Sequence, residues 1–301
     1  MKTFLVAATL LALPALAGAA SFTFIVAGLG GEPDYEQRFR EQAASIAEAA
    51  KKAAGEQGTV VVLTGEQARR DSVRREFEEF AAKVKATDSV TVVLIGHGTY
   101  DGEEYRFNVP GADITGSELG RLFEQLPAKQ QLIVNATSSS GATIELWQRP
   151  ERVVISATKS GGERTATRFA QFWSQAVSGD AADLNKDEVV TAAEAFDFAN
   201  RQVAASYKSE VALATEHARI SGEEQETAAF TVARIGSSAL TGASPEVTAL
   251  LAQRGQIEHD LDGVKERKAA LSQDEYYDEL EGVLVRLAQL QKQIDAKRAV
   301  Q

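Results

Sequence analysis

The sequence predicts an α/β domain built on a mostly parallel sheet with helices over both faces, followed by an antiparallel helical hairpin. Three observations carry that expectation. Short unbroken apolar runs recur between residues 22 and 158, stretches with helical apolar spacing separate them, and from Ser244 onward the pattern is helical throughout. Strands buried on both faces read as continuous hydrophobic runs, and their alternation with helices is the signature of parallel crossover units.

The elements follow in order. FTFIVAG, Phe22 to Gly28, is rich in aromatic and β-branched residues and reads as a buried strand. A helix over Tyr35 to Ala54 spaces Phe39, Ala43, Ile46 and Ala50 along one face. Thr59 to Gly65 is strand, Asp71 to Lys85 helix, and Ser89 to Gly96 strand. Thr115 with Glu118 forms a capping box that opens a helix over Ser117 to Gln125. Gln131 to Ala136 and Arg152 to Thr158 are two further strands, with helices around Thr165 to Ala176 and Ala192 to Tyr207. A polar stretch, Ser209 to Ala228, and the apolar piece Ala229 to Gly236 close the domain.

Ser244 caps the next helix with Pro245 in its first turn, and Val247, Leu250, Leu251, Ile257, Leu261 and Val264 mark its stripe. A second capping box, Ser272 with Glu275, opens a helix with Tyr277, Leu280, Leu284, Leu287, Leu290 and Ile294 on one side. Two such helices joined near Leu271 form a hairpin, suited to packing or to a partner-binding coiled coil. The division expected is a leader over 1–20, an α/β domain over 21–243 and the hairpin over 244–301.

Composition narrows the function. Forty-three acidic against 32 basic side chains leave a net charge of -11, which disfavours a nucleic-acid phosphate track or an anionic membrane surface. With no cysteine, disulfides, thiolate metal sites and cysteine nucleophiles are excluded. The first twenty residues carry Lys2, an apolar run to about Leu16, and Ala17 and Ala19 in A-x-A spacing, as a secretory signal peptide does. Cleavage is expected near Ala19 or Ala20. The run falls short of the about 20 apolar residues a membrane span needs, so the expectation is a periplasmic or secreted protein with no integral span after cleavage.

Gly28-Leu29-Gly30-Gly31 follows a strand as a dinucleotide fingerprint would, but Pro33 occupies the third glycine position, and a tight turn is the reading. VTVVLIGHGTY, Val90 to Tyr100, delivers Gly-His-Gly to the carboxyl end of a central strand, the edge where open parallel sheets bind ligands. The chain holds only His97, His217 and His259, which are too far apart in sequence for an obvious zinc site. The next strand ends in VNATSSSGA, Val134 to Ala142. A strand ending in Gly-His-Gly, then one ending in an amide, Ala, a hydroxyl residue, Ser and Gly, resembles the caspase and legumain superfamily of cysteine peptidases. The resemblance spans about Phe22 to Gly236.

It implies a three-layer αβα sandwich, with His97 as the family's histidine and Thr137 at the position of its cysteine. It also implies that the loop after the fifth strand borders a specificity pocket, which makes Arg164 the substrate-binding candidate. A threonine hydroxyl, unlike a thiol, is not appreciably ionised at neutral pH and needs a strongly oriented base. The first expectation is therefore a non-catalytic pseudopeptidase that binds a peptide or protein partner. The alternative is a hydrolase in which Thr137, Ser138, Ser139 or Ser140 attacks with His97 as base.

One constellation is independent of that resemblance. Asp183, Asn185, Asp187, Val189, Thr191 and Glu194 stand at positions 1, 3, 5, 7, 9 and 12 of an EF-hand loop, an oxygen donor set suited to Ca2+. Glu188 stands at position 6, where the turn wants glycine, so a strained or remodelled loop is expected. The competing reading is Thr191 with Glu194 as a capping box. A calcium-responsive structural scaffold is the third functional expectation.

Overall fold

The computed structural model describes residues 20–54, 58–235 and 250–298, the last with short breaks at 251–252, 255–256, 258–259, 262–263, 265–266 and 270. The leader up to Ala19, the Ser244–Pro245 cap, Val247, Leu251 and His259 lie outside the described residues.

Five parallel strands form the core of a six-stranded sheet. They are β1 (Ser21–Ala27), β2 (Thr59–Leu63), β3 (Ser89–Ile95), β7 (Gln130–Asn135) and β8 (Arg152–Ser156). In space they run β2-β1-β3-β7-β8, and β10 (Arg219–Ile220) adds an antiparallel edge beside β8. Between β1 and β3 the chain reverses its direction of travel across the sheet. That is the topological switch point, at whose carboxyl edge open parallel sheets generally bind ligands.

Period-2 alternation sends each strand's side chains to opposite faces. Ile25, Val93, Val134 and Ile155 pack against α1 (Pro33–Ala54), α5 (Phe169–Ser178) and α6 (Ala192–Ser209) through Phe39, Ile46, Trp173 and Phe198. Phe24, Val92, Ile133 and Val154 pack on the other face, against α2 (Arg70–Ala81), α3 (Gly116–Phe123) and α4 (Ile144–Trp147). There Phe24 meets Phe77 and Phe80 edge-on at 5.1 and 5.2 Å. The result is a three-layer αβα sandwich with two cores. Emptying one buried aromatic side chain from either would cost about 3–5 kcal/mol.

The sequence reading missed short pieces. β4 (Gly98–Tyr100), β5 (Tyr105–Phe107) and β6 (Ile114–Thr115) form a small antiparallel sheet beyond β3. The polar stretch expected from Ser209 to Ala228 contains β10 and α7 (Glu224–Ala229). The apolar piece that follows forms β11 (Thr231–Arg234), paired with β9 (Val189–Thr191) rather than with the main sheet.

The C-terminal helix Gln273–Arg298 packs antiparallel to the segment before it. Arg267 pairs with Glu279 at 2.8 Å, Asp260 with Arg286 at 3.5 Å and Arg254 with Gln291 at 2.8 Å, so one partner number rises as the other falls. The inward stripe differs from expectation. Val283, Leu290 and Ile294 are buried and Tyr276, Leu280 and Leu287 partly so, while Tyr277 and Leu284 face outward. Steps of four and three from 276 to 294 are a heptad seam, which a single-helix reading cannot phase without knowing the facing segment. Among the described residues no helix is long and apolar enough to cross a membrane.

Candidate functional site

β3 ends at Ile95, and Gly96, at φ +145°, turns the chain so that His97 lies just past the carboxyl end of β3, at the switch point. The imidazole is half-buried. It meets Tyr35 and Phe39 of α1 edge-on at 4.9 and 5.2 Å, with the Gly30 carbonyl alongside. Burial holds its pKa below the ordinary histidine value, against the pull of that carbonyl, so the ring is neutral at pH 7.

Thr137 lies across the sheet from it. The register Val93↔Val134 runs to Leu94↔Asn135, so 93 and 95 share a face with 134 and 136, the face on which His97 meets Tyr35 and Phe39 of α1. Asn135 and Thr137 belong to the other face, under Tyr105. Thr137 is fully buried, and its Oγ1 lies 2.6 Å from the Tyr105 hydroxyl, 2.8 Å from Asn135 Oδ1 and 3.0 Å from the Ser138 carbonyl. Burial raises the Tyr105 phenol pKa, keeping it protonated. Asn135 completes the group by donating to Thr143 Oγ1 at 3.2 Å. No hydrogen bond joins His97 to Thr137 among the described residues. Gly98 is wedged between the two strand ends: a Cβ there would come within 2.5 Å of the Ser138 carbonyl oxygen and 2.8 Å of Thr137 Oγ1.

The other hydroxyls of this turn serve structure in different ways. Ser139 adopts φ 56°, donates its N–H to the Glu163 carbonyl at 2.8 Å, and leaves its buried Oγ without a partner. Ser140 Oγ pairs with Thr158 Oγ1 at 3.2 Å. Ser138 is buried in the turn between Thr137 and Ser139.

Arg164 is exposed at the mouth of this edge, where Nη2 donates to the Tyr100 carbonyl at 3.3 Å. It has no carboxylate partner among the described residues. Its neighbour Glu163 is committed elsewhere. Burial would raise the Glu163 carboxyl, but the Lys159 N–H and the ring and N–H of His217, the ring at 2.5 Å, hold it below the usual range. Leu29, just past the carboxyl end of β1, is 41% exposed.

The Asp183–Glu194 loop forms a second site. Asp183 is buried and accepts the N–H groups of Asp187 and Glu188 at 3.2 and 3.0 Å. Asn185 accepts from the Asp187 N–H at 3.0 Å, and Asp187 accepts from the Val189 N–H at 2.8 Å. Glu188 takes φ 64°, the left-handed conformation that glycine would supply at loop position 6. Thr191 and Glu194 form the capping box of α6, which is the competing reading of that pair. Burial raises the carboxyl pKa of Asp187 and of Glu194, and Asp183 and Asp187 push Glu194 further in the same direction. Among the described residues no three His, Cys, Asp or Glu side chains are already gathered as a metal cluster. Glu194, turned to its cap, would have to swing inward to ligate.

Arg254, buried in the C-terminal segment, donates to the carbonyls of Asn185 at 2.5 Å and Lys186 at 3.5 Å while holding Gln291. No sequence pattern marks that contact.

No family model matches the chain, and no curated protein matches it. Among solved structures, it is similar to a Geobacter sulfurreducens protein from a structural-genomics programme, with a TM-score of 0.46 and 10% identity over 73% of this chain and 100% of that one. It is also similar to caspase-1 from Spodoptera frugiperda, with a TM-score of 0.46 and 9% identity over 73% of this chain and 92% of that one.

Proposed function

We propose that this chain is an exported, catalytically silent relative of the caspase and legumain peptidases. In this reading, the carboxyl edge of its sheet binds an acidic peptide segment of a partner without cutting it. The observation that carries the reading is the state of Thr137: its hydroxyl is buried, bonded on three sides and turned to the face opposite His97. A neutral imidazole can accept a proton, but this hydroxyl is not within its reach. The exposed Arg164, held to the Tyr100 carbonyl and without a carboxylate partner among the described residues, supports an acidic ligand, since a guanidinium pairs with carboxylates in two-pronged geometry.

The test is titration of the mature protein with labelled acidic peptides and their amidated counterparts. Arg164→Glu is expected to weaken acidic-peptide binding by about tenfold or more, or about 1.4 kcal/mol. His97→Ala should leave it within about threefold, roughly 0.7 kcal/mol. Peptide or ester turnover that vanishes in His97→Ala and in Ser138→Ala would replace this reading with a hydroxyl-nucleophile hydrolase.

A second reading is favoured by one observation, the left-handed Glu188 at position 6 of an otherwise complete loop. We propose that Asp183, Asn185, Asp187, Val189, Thr191 and Glu194 hold Ca2+, the last after leaving its cap, as a structural brace. Millimolar calcium should raise the melting temperature by several degrees over chelator, and Asp183→Ala should abolish the increment. An unchanged melting temperature removes the brace.

A further inference from the structure

Asp88 is a carboxylate in an expensive place. It sits in the turn before β3, 4% exposed, and no cation lies within ion-pair distance of it among the described residues. Its Oδ2 accepts the Lys85 backbone N–H at 2.8 Å, and its Oδ1 accepts the backbone nitrogen of Ala20 at 3.0 Å. The lysines of the neighbouring turns, Lys83, Lys85 and Lys129, are exposed. A buried carboxylate with two amide donors and no positive partner is incompletely compensated.

Ala20 is itself held in place. Its carbonyl accepts the Ser89 N–H at 3.0 Å, and Ser21 stands in register with Ser89. Ala17 and Ala19 set the small-residue spacing of a leader cleavage site immediately before it.

We infer that export cleaves the Ala19–Ala20 bond and that the α-ammonium so freed is the missing partner of Asp88. Hydrolysis by a signal peptidase adds the hydroxyl of water to the Ala19 carbonyl carbon and a proton to the Ala20 nitrogen. The amine takes one more proton from solvent, because a free α-amino group has a pKa of about 7.7–8.0. The neutral donor at 3.0 Å from Asp88 thereby becomes a charged one at the same place, and charge-assisted hydrogen bonds are the stronger kind. Cleavage one residue later would start the chain at Ser21 and strip Asp88 of its Ala20 donor, so the structure distinguishes the two candidate bonds. The inference rests on the export half of the reading above and is independent of what the sheet edge binds.

The test has two stages. The intact mass of the exported protein is expected to give Ala20 as first residue. A start at Ser21 overturns the inference alone, whereas a retained leader also overturns export. Protein released from a removable tag to begin at Ala20 is then compared with Asp88→Asn and with a chain beginning at Ala19. Its α-amine should be acylated at neutral pH at least about tenfold more slowly than in either comparison, since a partly buried, ion-paired ammonium is a poor nucleophile. Asp88→Asn should lower the melting temperature more in the chain that starts at Ala20 than in the one that starts at Ala19. Equal labelling, or equal melting losses, would leave Asp88 as a cap for two amides and overturn the ion pair.

Discussion

The turn after β7 and the loop between α5 and α6 are both short, polar and rich in side-chain oxygens, yet they treat those oxygens in opposite ways. In the first, neutral groups close on one another: Tyr105, Thr137, Asn135 and Thr143 form a connected set with no charge in it. In the second, Asp183, Asp187 and Glu194 are carboxylates with no shared counter-ion between them among the described residues, and the pKa of Asp187 and of Glu194 rises through burial first and through the neighbouring carboxylate charges second. A satisfied neutral network adds rigidity, while neighbouring carboxylates store repulsion that a cation or a proton can relieve. The contrast separates a polar turn that completes a fold from one that can respond to its surroundings.

The largest effect is expected in the closed turn. Asn135→Ala removes the acceptor of Thr137 and the donor to Thr143 together and should destabilise the protein by about 2–3 kcal/mol, read as the urea midpoint. A loss comparable to a surface substitution would break the comparison.

The open loop should respond in the other direction. In chelator, Asp187→Asn removes a half-buried charge and is expected to raise the melting temperature while abolishing any calcium increment. The pH sign follows from the raised folded-state pKa values of Asp187 and Glu194. Between the ordinary carboxylate range and those raised values the folded state binds more protons, so these groups weaken the fold as pH rises through that window. Asp187→Asn should flatten that slope in thermal melts across the acidic range. The smallest effect belongs to the backbone: Glu188→Gly relieves a left-handed residue and should stabilise by about 0.5–1 kcal/mol, the gain partly offset by the entropy of glycine in the unfolded chain.

Much of this was legible beforehand. The five long strands announced themselves as apolar runs because both of their faces are covered, and Thr115 and Thr191 showed their helix starts through capping boxes that the structure forms. The small sheet β4-β5-β6 was not visible, because strands of two or three residues separated by Asp101, Gly102, Glu103 and Glu104 carry no period. The site was half legible. Both strand ends were placed correctly, but that Thr137 would turn to Tyr105 and Asn135, away from the α1 face where His97 packs, depends on the register between β3 and β7. That register is set by how the two strands slide together in the packed sheet, and nothing local in either strand encodes it.

Arg254 gives the molecule one more property. Its guanidinium spans the backbone of the Asp183–Glu194 loop and the side chain of Gln291, so it clasps the loop to the C-terminal helix. Free energies that meet in one contact are reciprocal. A ligand that reshapes the loop alters how firmly the helix docks, and a protein gripping that helix alters the loop's affinity for its ligand by the same factor.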